Sequence, residues 1–535
     1  MDLNKRRFSV RSPEELFEAV FPARAGDTRR LCRCALLSAL LSALAAYHLL
    51  VIVGHGNADA VCEGLVSYTG SDWALACGRW AIRYMEAASG EVIVPGLWLA
   101  LYAVCCALST LLLAKLWGIE SPVAVCLTAC LLTVNPTVIE QSLLQYMFMA
   151  WGVSNLLAVL FVYLCCAEGS WPRRYILAPF CMAVAFGLYQ SCVSLMCVCF
   201  CMTLILRLFR GESLKDTLFL VLRFALSAFI GTALYFLILR VETLRYAVAE
   251  SERVAIFSLR GFLSSLPVSV PQAYKTYLAY FADHRFHRLH IYALLALLGA
   301  LCSGAELLRL AKGKHVLEAL FALLLLALIP FFSNVADVIF PYNEPVLIMQ
   351  YQSMLVVPFM LALPLPAFLE GKRAGGLLRH MAPILLCCLL WGYAVAANAT
   401  YRVYDLSYRH LNFVTASAMN DVYELTDYAP DDVIAFAGFP DDDLLRAAVP
   451  AYRQAYGQYD SFVFWDGMMG LQYCRRNYLL NYFGIDAGHI YGHLYNDAVH
   501  SDEFNEMPVW PAQGSVKRIN SLVIVKFSDD PPIFG

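Results

Sequence analysis

Residues 57–80 read NADAVCEGLVSYTGSDWALACGRW and lie between two long apolar runs. The stretch brings together the carboxylates Asp59, Glu63 and Asp72, the guanidinium of Arg79, and two indoles, Trp73 and Trp80; Arg83 follows one helical turn on. On a helix, Asp59 and Glu63 share one face, and so do Arg79 and Arg83. A carboxylate at a membrane surface can take the proton from an acceptor hydroxyl. An arginine can neutralise the phosphate that leaves with its lipid. The chemistry these parts suggest is sugar transfer from a lipid phosphate. Each residue also has a plainer reading. Asp72 fits a helix cap, Glu63 a solvated charge, and Arg83 a headgroup contact or a partner for Glu86. Ser71-Asp72 opens WALACGRWAIRYMEA, which the spacing predicts as one amphipathic helix along the membrane surface. Its apolar side would carry Trp73, Ala76, Trp80 and Tyr84, with the tryptophans among the headgroups. Cys62 and Cys77 share the loop; outside the cytoplasm they could form a disulfide, which spacing alone leaves open.

Such groups need elements to hold them at a bilayer, and the rest of the chain supplies spans. Of 535 residues, 60% are hydrophobic and 15% charged, and mean hydropathy is +0.59. Soluble domains carry roughly 25% charged residues, so the chain reads as a polytopic α-helical membrane protein. A net charge of −3 argues against a nucleic-acid partner. Apolar runs at 31–54, 92–117, 121–136, 143–166, 175–190, 191–208, 218–240, 290–311, 316–336, 346–369 and 380–397 make about 11 transmembrane helices of roughly the length a bilayer needs. The run 175–208 is divided at Tyr189-Gln190-Ser191. Basic residues (Lys5-Arg6-Arg7, Arg29-Arg30, Lys115, Arg173-Arg174, Arg207, Arg210, Lys215, Arg309, Lys312, Lys314, Lys372-Arg373, Arg379) fall on one side if the N-terminus is cytoplasmic, while loops near 135–142 and 333–345 have none.

This layout gives a cytoplasmic segment 1–30, a multi-span domain 31–397 with outer loops 55–91 and 241–289, and an outer tail 398–535. The tail reads as a small extracytoplasmic α/β domain. VIAFAGF (433–439) and SLVIVKF (521–527) look like buried strands, and Asp441-Asp442-Asp443 fit a helix start better than a catalytic centre. Most of the 19 cysteines sit in apolar runs without metal-type pairing, as small hydrophobes do. A Walker loop and a GxGxxG after a strand are both missing, which speaks against a nucleotide-driven pump. Asn135-Pro136 should end a helix and place Glu140, Gln141, Gln145 and Tyr146 at an outer cavity or in structural caps. Tyr189 and Gln190 put polar groups at an outer span end, for pairing or for lining a cavity. No cofactor is expected. A divalent cation held by Asp59 with Asp337, Asn343 and Glu344 is the alternative, and no tight DxD-type cluster supports it.

NAD (57–59), SDW (71–73) and GRW (78–80) after the first span, NPTVIEQSLLQY (135–146), LYQS (188–191) and MPVWPAQGSVKRINSLVIVKF (507–527) together give a resemblance that runs over most of the chain. In this order and spacing they resemble the Gtr type II glucosyltransferases of bacteria, multispanning enzymes of GT-C-like architecture similar to the serotype-converting O-antigen glucosyltransferases. Loop 241–289 and much of 400–500 match nothing in that pattern. The resemblance implies an inverting hexosyltransferase in the bacterial cytoplasmic (inner) membrane. It would use a polyprenyl-phosphate-glucose donor on the outer face and a surface polysaccharide or lipid-linked glycan as acceptor. A donor synthase and a small flippase would be its functional partners. GT-C enzymes keep an acidic residue in the first outer loop, and Asp59 is the matching position. Arg79 and Arg83 would then receive the donor phosphate. Asp72, Trp73, Trp80, Glu140, Gln145, Tyr189 and Gln190 are the candidate substrate contacts. The competing reading is a polysaccharide or lipid-linked sugar transporter or flippase. That reading calls for charges within spans or paired broken helices, whereas most carboxylates here fall in the outer loops.

Overall fold

The computed structural model describes residues 28–54, 72–88, 90, 93–167, 171–249, 259–282, 290–339, 347–363, 373–438 and 472–533. Asp59, Cys62, Glu63, Asn343, Glu344 and the acidic run 441–443 lie outside these residues, as does the side chain of Asp337.

Among the described residues, nine helices are long and apolar enough to cross a membrane, the architecture of a polytopic helical membrane protein. In chain order the helices begin with α1 (Thr28–Val53), two short helices α2 (Asp72–Ala76) and α3 (Trp80–Ala88), then α4 (Pro95–Trp117), α5 (Pro122–Thr133), α6 (Pro136–Gln141) and α7 (Gln145–Cys166). They continue with α8 (Ala178–Leu188), α9 (Cys192–Phe209), α10 (Leu214–Tyr246), α11 (Leu259–Ala282), α12 (Ile291–Lys312), α13 (Val316–Ser333), α14 (Val335–Ile339), α15 (Val356–Ala362) and α16 (Arg373–Tyr423). The division of 175–208 at Tyr189 is as the sequence suggests. Two expected spans are shorter than a full crossing: α8 is extended only by a π-helical turn at Arg173–Leu177, and α15 by a 3-10 turn at Tyr351–Leu355.

Local sequence sets the helix ends. Pro95, Pro122 and Pro136 each stand in a first turn, where a missing N–H costs nothing. Gly118 closes α4 in the left-handed conformation (φ +64°). Asn135 works twice: its side-chain oxygen accepts from Val138 N–H (3.1 Å), and its amide donates to Leu131 O (2.9 Å). α1 packs on α4 and α5 through Ala35, Ala39, Ala43 and Ala46, all buried, small residues that let helices approach where lipid gives no hydrophobic drive.

Much of the basic residue bias is built into one end of this bundle. Arg207 donates to Cys166 O (2.9 Å) and pairs with Glu212 (3.2 Å). Arg223 donates to Cys165 O, Arg210 to Trp117 O, and Arg309 to Phe209 O. Each guanidinium thus satisfies carbonyls at the C-terminal end of a neighbouring helix, where the dipole is negative. At the opposite end of α9 stand Tyr189 and Gln190, and there the chain gathers its other polar side chains.

Two features were not foreseen. The expected loop 241–289 contains α11, which packs on α13 and α14; Tyr274 donates to Ala327 O (2.8 Å) and Asn334 to Ala273 O (2.9 Å). α16 runs on well beyond residue 397, so the tail continues from the bundle as a helix as far as Tyr423. The segment after α16 forms a three-stranded sheet of order β1-β3-β2, from β1 (Val433–Ala437), β2 (Val516–Ile519) and β3 (Leu522–Lys526). β1 pairs with β3 in parallel and β2 with β3 antiparallel. Helices α17 (Gln472–Phe483) and α18 (Gly492–Val499) accompany it. Arg518 ties β2 to Asp427 (2.7 Å) and Asp432 (2.5 Å), and Trp510 ties the turn before β2 to Asp421 of α16 (2.9 Å).

Candidate functional site

The predicted single helix from Ser71 is two helices. Gly78 adopts φ +81°, a conformation glycine reaches without strain, and the chain turns between α2 and α3. Trp80 therefore points into the bundle instead of lying among headgroups. It is buried against Gly187 of α8, where an added Cβ would lie 2.5 Å from Trp80 Cε2. Trp73 stays exposed, while Ala74, Leu75 and Ala76 are buried. The turn is held by its backbone. Gln190 Nε2 donates to Cys77 O (2.7 Å) and to the Tyr235 hydroxyl (3.2 Å), and Tyr235 donates to Gly78 O (3.1 Å). One turn on, Tyr84 donates to Glu242 of α10 (2.7 Å), a bond that raises the phenol's pKa above its usual range. Cys77 is buried in this turn.

This clamp separates the two arginines. Arg83 pairs with Asp72 (2.8 Å), and its guanidinium carbon lies 3.8 Å from the Tyr246 ring centroid. Asp72 thereby acts as a partner of Arg83 on the solvent side, its carboxylate 77% exposed. Arg79 is half-buried and has no carboxylate partner among the described residues. Its guanidinium sits over the Tyr189 ring, 4.9 Å from the centroid, and Tyr189 meets Trp151 edge-on at 5.5 Å. Arg79 Nε, Trp80 Nε1 and Trp151 Nε1 are buried without a hydrogen-bond partner among the described residues. All three groups can only donate. A cation with surplus donors in a half-buried setting is matched by an anion.

A second polar group forms where α6 and the start of α7 meet α16. Gln141 Nε2 donates to Ile348 O (2.8 Å), and Ser142 hydrogen-bonds Tyr401. The Glu140 carboxylate lies within electrostatic reach of Tyr404, one turn along α16. The structure thus brings Arg79, Trp80, Tyr189 and Gln190 into one assembly, and Glu140 and Gln145 into another. Trp151, Tyr235 and Tyr404 were not singled out from sequence. The regular spacing of Tyr401, Tyr404 and Tyr408 was a signal of a helix face; an indole inside the apolar run of α7 was not. Among the described residues there is no cluster of three His, Cys, Asp or Glu able to hold a metal. The alternative cation site falls on residues outside the description.

Compared with known proteins, the chain matches the model of one family, glucosyl transferase GtrII, over residues 63–363. No curated protein and no solved structure matches it. The matched stretch holds the Arg79 clamp, the Glu140 turn and most of the bundle. It begins after Asp59 and ends before α16 and the sheet. Covering more than half of the sequence, including the Arg79 clamp and the Glu140 turn, this match establishes that the chain belongs to the GtrII glucosyl transferase family.

Proposed function

We propose that the protein transfers glucose, or another hexose, from a polyprenyl-phosphate donor to a surface polysaccharide or lipid-linked glycan on the outer face of the cytoplasmic membrane. The observation that carries this reading is Arg79. It is half-buried, fixed over Tyr189, and without a carboxylate partner among the described residues. Arg83, already paired with Asp72, is the lesser candidate for the phosphate. In the reaction, the acceptor oxygen attacks the anomeric carbon while the bond from that carbon to the phosphate oxygen breaks. The electron pair leaves on the phosphate, opposite Arg79. The hydroxyl proton passes to Asp59, and a single displacement inverts the anomeric centre. The charge pattern used above supports an outward-facing site, with the C-terminal sheet on the same side to cover the acceptor.

The test is donor binding by the purified protein. Arg79→Lys keeps the charge and loses the planar fork, so affinity for polyprenyl-phosphate-glucose should fall. Arg83→Lys should change it far less. Equal losses in the two variants would remove Arg79 from the role.

A further inference from the structure

The second polar assembly has a composition unlike the first. Four of its side-chain atoms are buried without a hydrogen-bond partner among the described residues: Thr137 Oγ1, Gln141 Oε1, Gln145 Nε2 and the Tyr404 hydroxyl. Their residues are 0%, 2%, 4% and 2% exposed, respectively. Thr137, Glu140 and Gln141 are spaced i, i+3 and i+4 on α6, which puts them on adjoining faces. Gln145 opens α7 one turn later, and Tyr404 comes from α16 beside Glu140. The neighbouring Ser142–Tyr401 bond joins the turn between α6 and α7 to α16, and Gln141 Nε2 ties α6 to Ile348 of the short 3-10 turn Leu347–Met349. Buried polar atoms are nearly always satisfied, so four orphans carried by α6, the start of α7 and the stretch of α16 beside them call for a partner.

The chemistry of the set indicates which partner. Around Arg79 the unmatched atoms are donors only, as a phosphate requires. Here the unmatched atoms mix donors and acceptors: an amide N–H, an amide oxygen and two hydroxyls that do both; the Glu140 carboxylate adds an acceptor close by Tyr404. Hydroxyl groups likewise donate and accept. A ligand with several hydroxyls on a compact ring satisfies such a set; a phosphate does not, because Glu140 and Gln141 Oε1 would oppose it. We infer that Thr137, Glu140, Gln141, Gln145 and Tyr404 form a hexose-recognition subsite, separate from the phosphate contact at Arg79. This rests on the glucosyl-transfer reading above and assigns the sugar's hydroxyls to named residues.

The experiment separates the two assemblies. Saturation-transfer NMR on the detergent-solubilised full chain measures binding of methyl glucoside, mannoside and galactoside. Competition by sugar-free polyprenyl phosphate measures the phosphate contact. One hexoside should bind the wild type. Tyr404→Phe and Thr137→Val, each losing one hydroxyl, should weaken it by roughly 5–100-fold and narrow the preference among hexosides. Both should leave binding of the bare lipid phosphate unchanged. Arg79→Ala should do the reverse, weakening the lipid phosphate and sparing the hexoside. If Arg79→Ala has no effect while the hexoside result holds, the phosphate reading fails and the subsite stands. The subsite is overturned if no hexoside binds the wild type, which would mean the cluster holds only water. It is also overturned if folded Tyr404→Phe and Thr137→Val bind hexoside as the wild type does, or if they lose the lipid phosphate equally.

Discussion

Substituting Gly187 by alanine tests whether the position of the turn at Gly78 depends on how Trp80 is seated. The new Cβ would lie 2.5 Å from Trp80 Cε2 and 2.8 Å from both Cζ2 and Nε1. Carbon atoms in contact prefer about 3.5–4.0 Å, so the indole must retreat by ~1 Å. It cannot retreat alone. Arg79 is its chain neighbour, and the backbone of Cys77 and Gly78 is held by Gln190 and Tyr235. Overpacking of this kind typically costs about 1–3 kcal/mol, which a bundle with many other helix contacts should survive. The larger effect is geometric. Displacing a substrate-holding group by ~1 Å can lower a rate by roughly 10²-fold. Gly187→Ala should therefore remain folded and membrane-inserted, with transfer from polyprenyl-phosphate-glucose reduced by about that factor and donor affinity weakened. The assay is initial-rate transfer by purified protein, alongside thermal unfolding of the same sample. Wild-type transfer at an unchanged melting temperature would refute the reasoning, because Trp80 would then be free to move without disturbing Arg79.

Further predictions follow from the same geometry. Asp59→Asn should lower the transfer rate by about 10²–10⁴-fold with donor affinity preserved, the usual value of a general base; a wild-type rate would send the search to Glu140. Arg83→Gln breaks a pair with Asp72 that is open to solvent on the Asp72 side, worth about 0–1 kcal/mol, and a cation–π contact with Tyr246 worth about 0.5–1 kcal/mol, so melting should fall only slightly and donor binding should stay near wild type. A cytoplasm-dependent fluorescent reporter fused after Gly535 should stay dark, and a bright fusion would place the sheet on the other side of the membrane. Arg518 holds the Asp432 carboxyl below its usual pKa, chiefly through their hydrogen bond. That contribution is present above the unfolded value of about 3.9 and is lost as pH falls through the lower folded value. Unfolding of the C-terminal sheet should therefore become easier on acidification below about pH 4, and Arg518→Gln should blunt that dependence.

Those features that follow from local composition could be read in the sequence. The apolar runs, the break at Tyr189 and the strands at 433–437 and 522–526 are of this kind. The one-sided bias of the basic residues is visible in the sequence, but their bonds to carbonyls of neighbouring helices depend on tertiary contacts. Gly78 was visible in GRW, yet the helical spacing of Trp73, Ala76, Trp80 and Tyr84 outweighed it and hid the turn. The amphipathic pattern was real, and its meaning changed because Trp80 found a glycine to pack on. The extension of α16 through Tyr401, Tyr404 and Tyr408 is hidden in the sequence because polar-tipped aromatics lower hydropathy, so the apolar run ends near residue 397. The approach of Tyr404 to the Glu140 carboxylate joins positions far apart in sequence, and no local pattern announces it.

The central claim, that Arg79 receives the phosphate of a lipid-linked hexose, has a direct measurement. Purified wild-type protein and Arg79→Ala are given labelled polyprenyl-phosphate-glucose, with transfer followed against donor concentration. The wild type should transfer hexose with saturation, while Arg79→Ala should fail to saturate over the same range. Saturation by Arg79→Ala at wild-type donor concentrations would contradict the account.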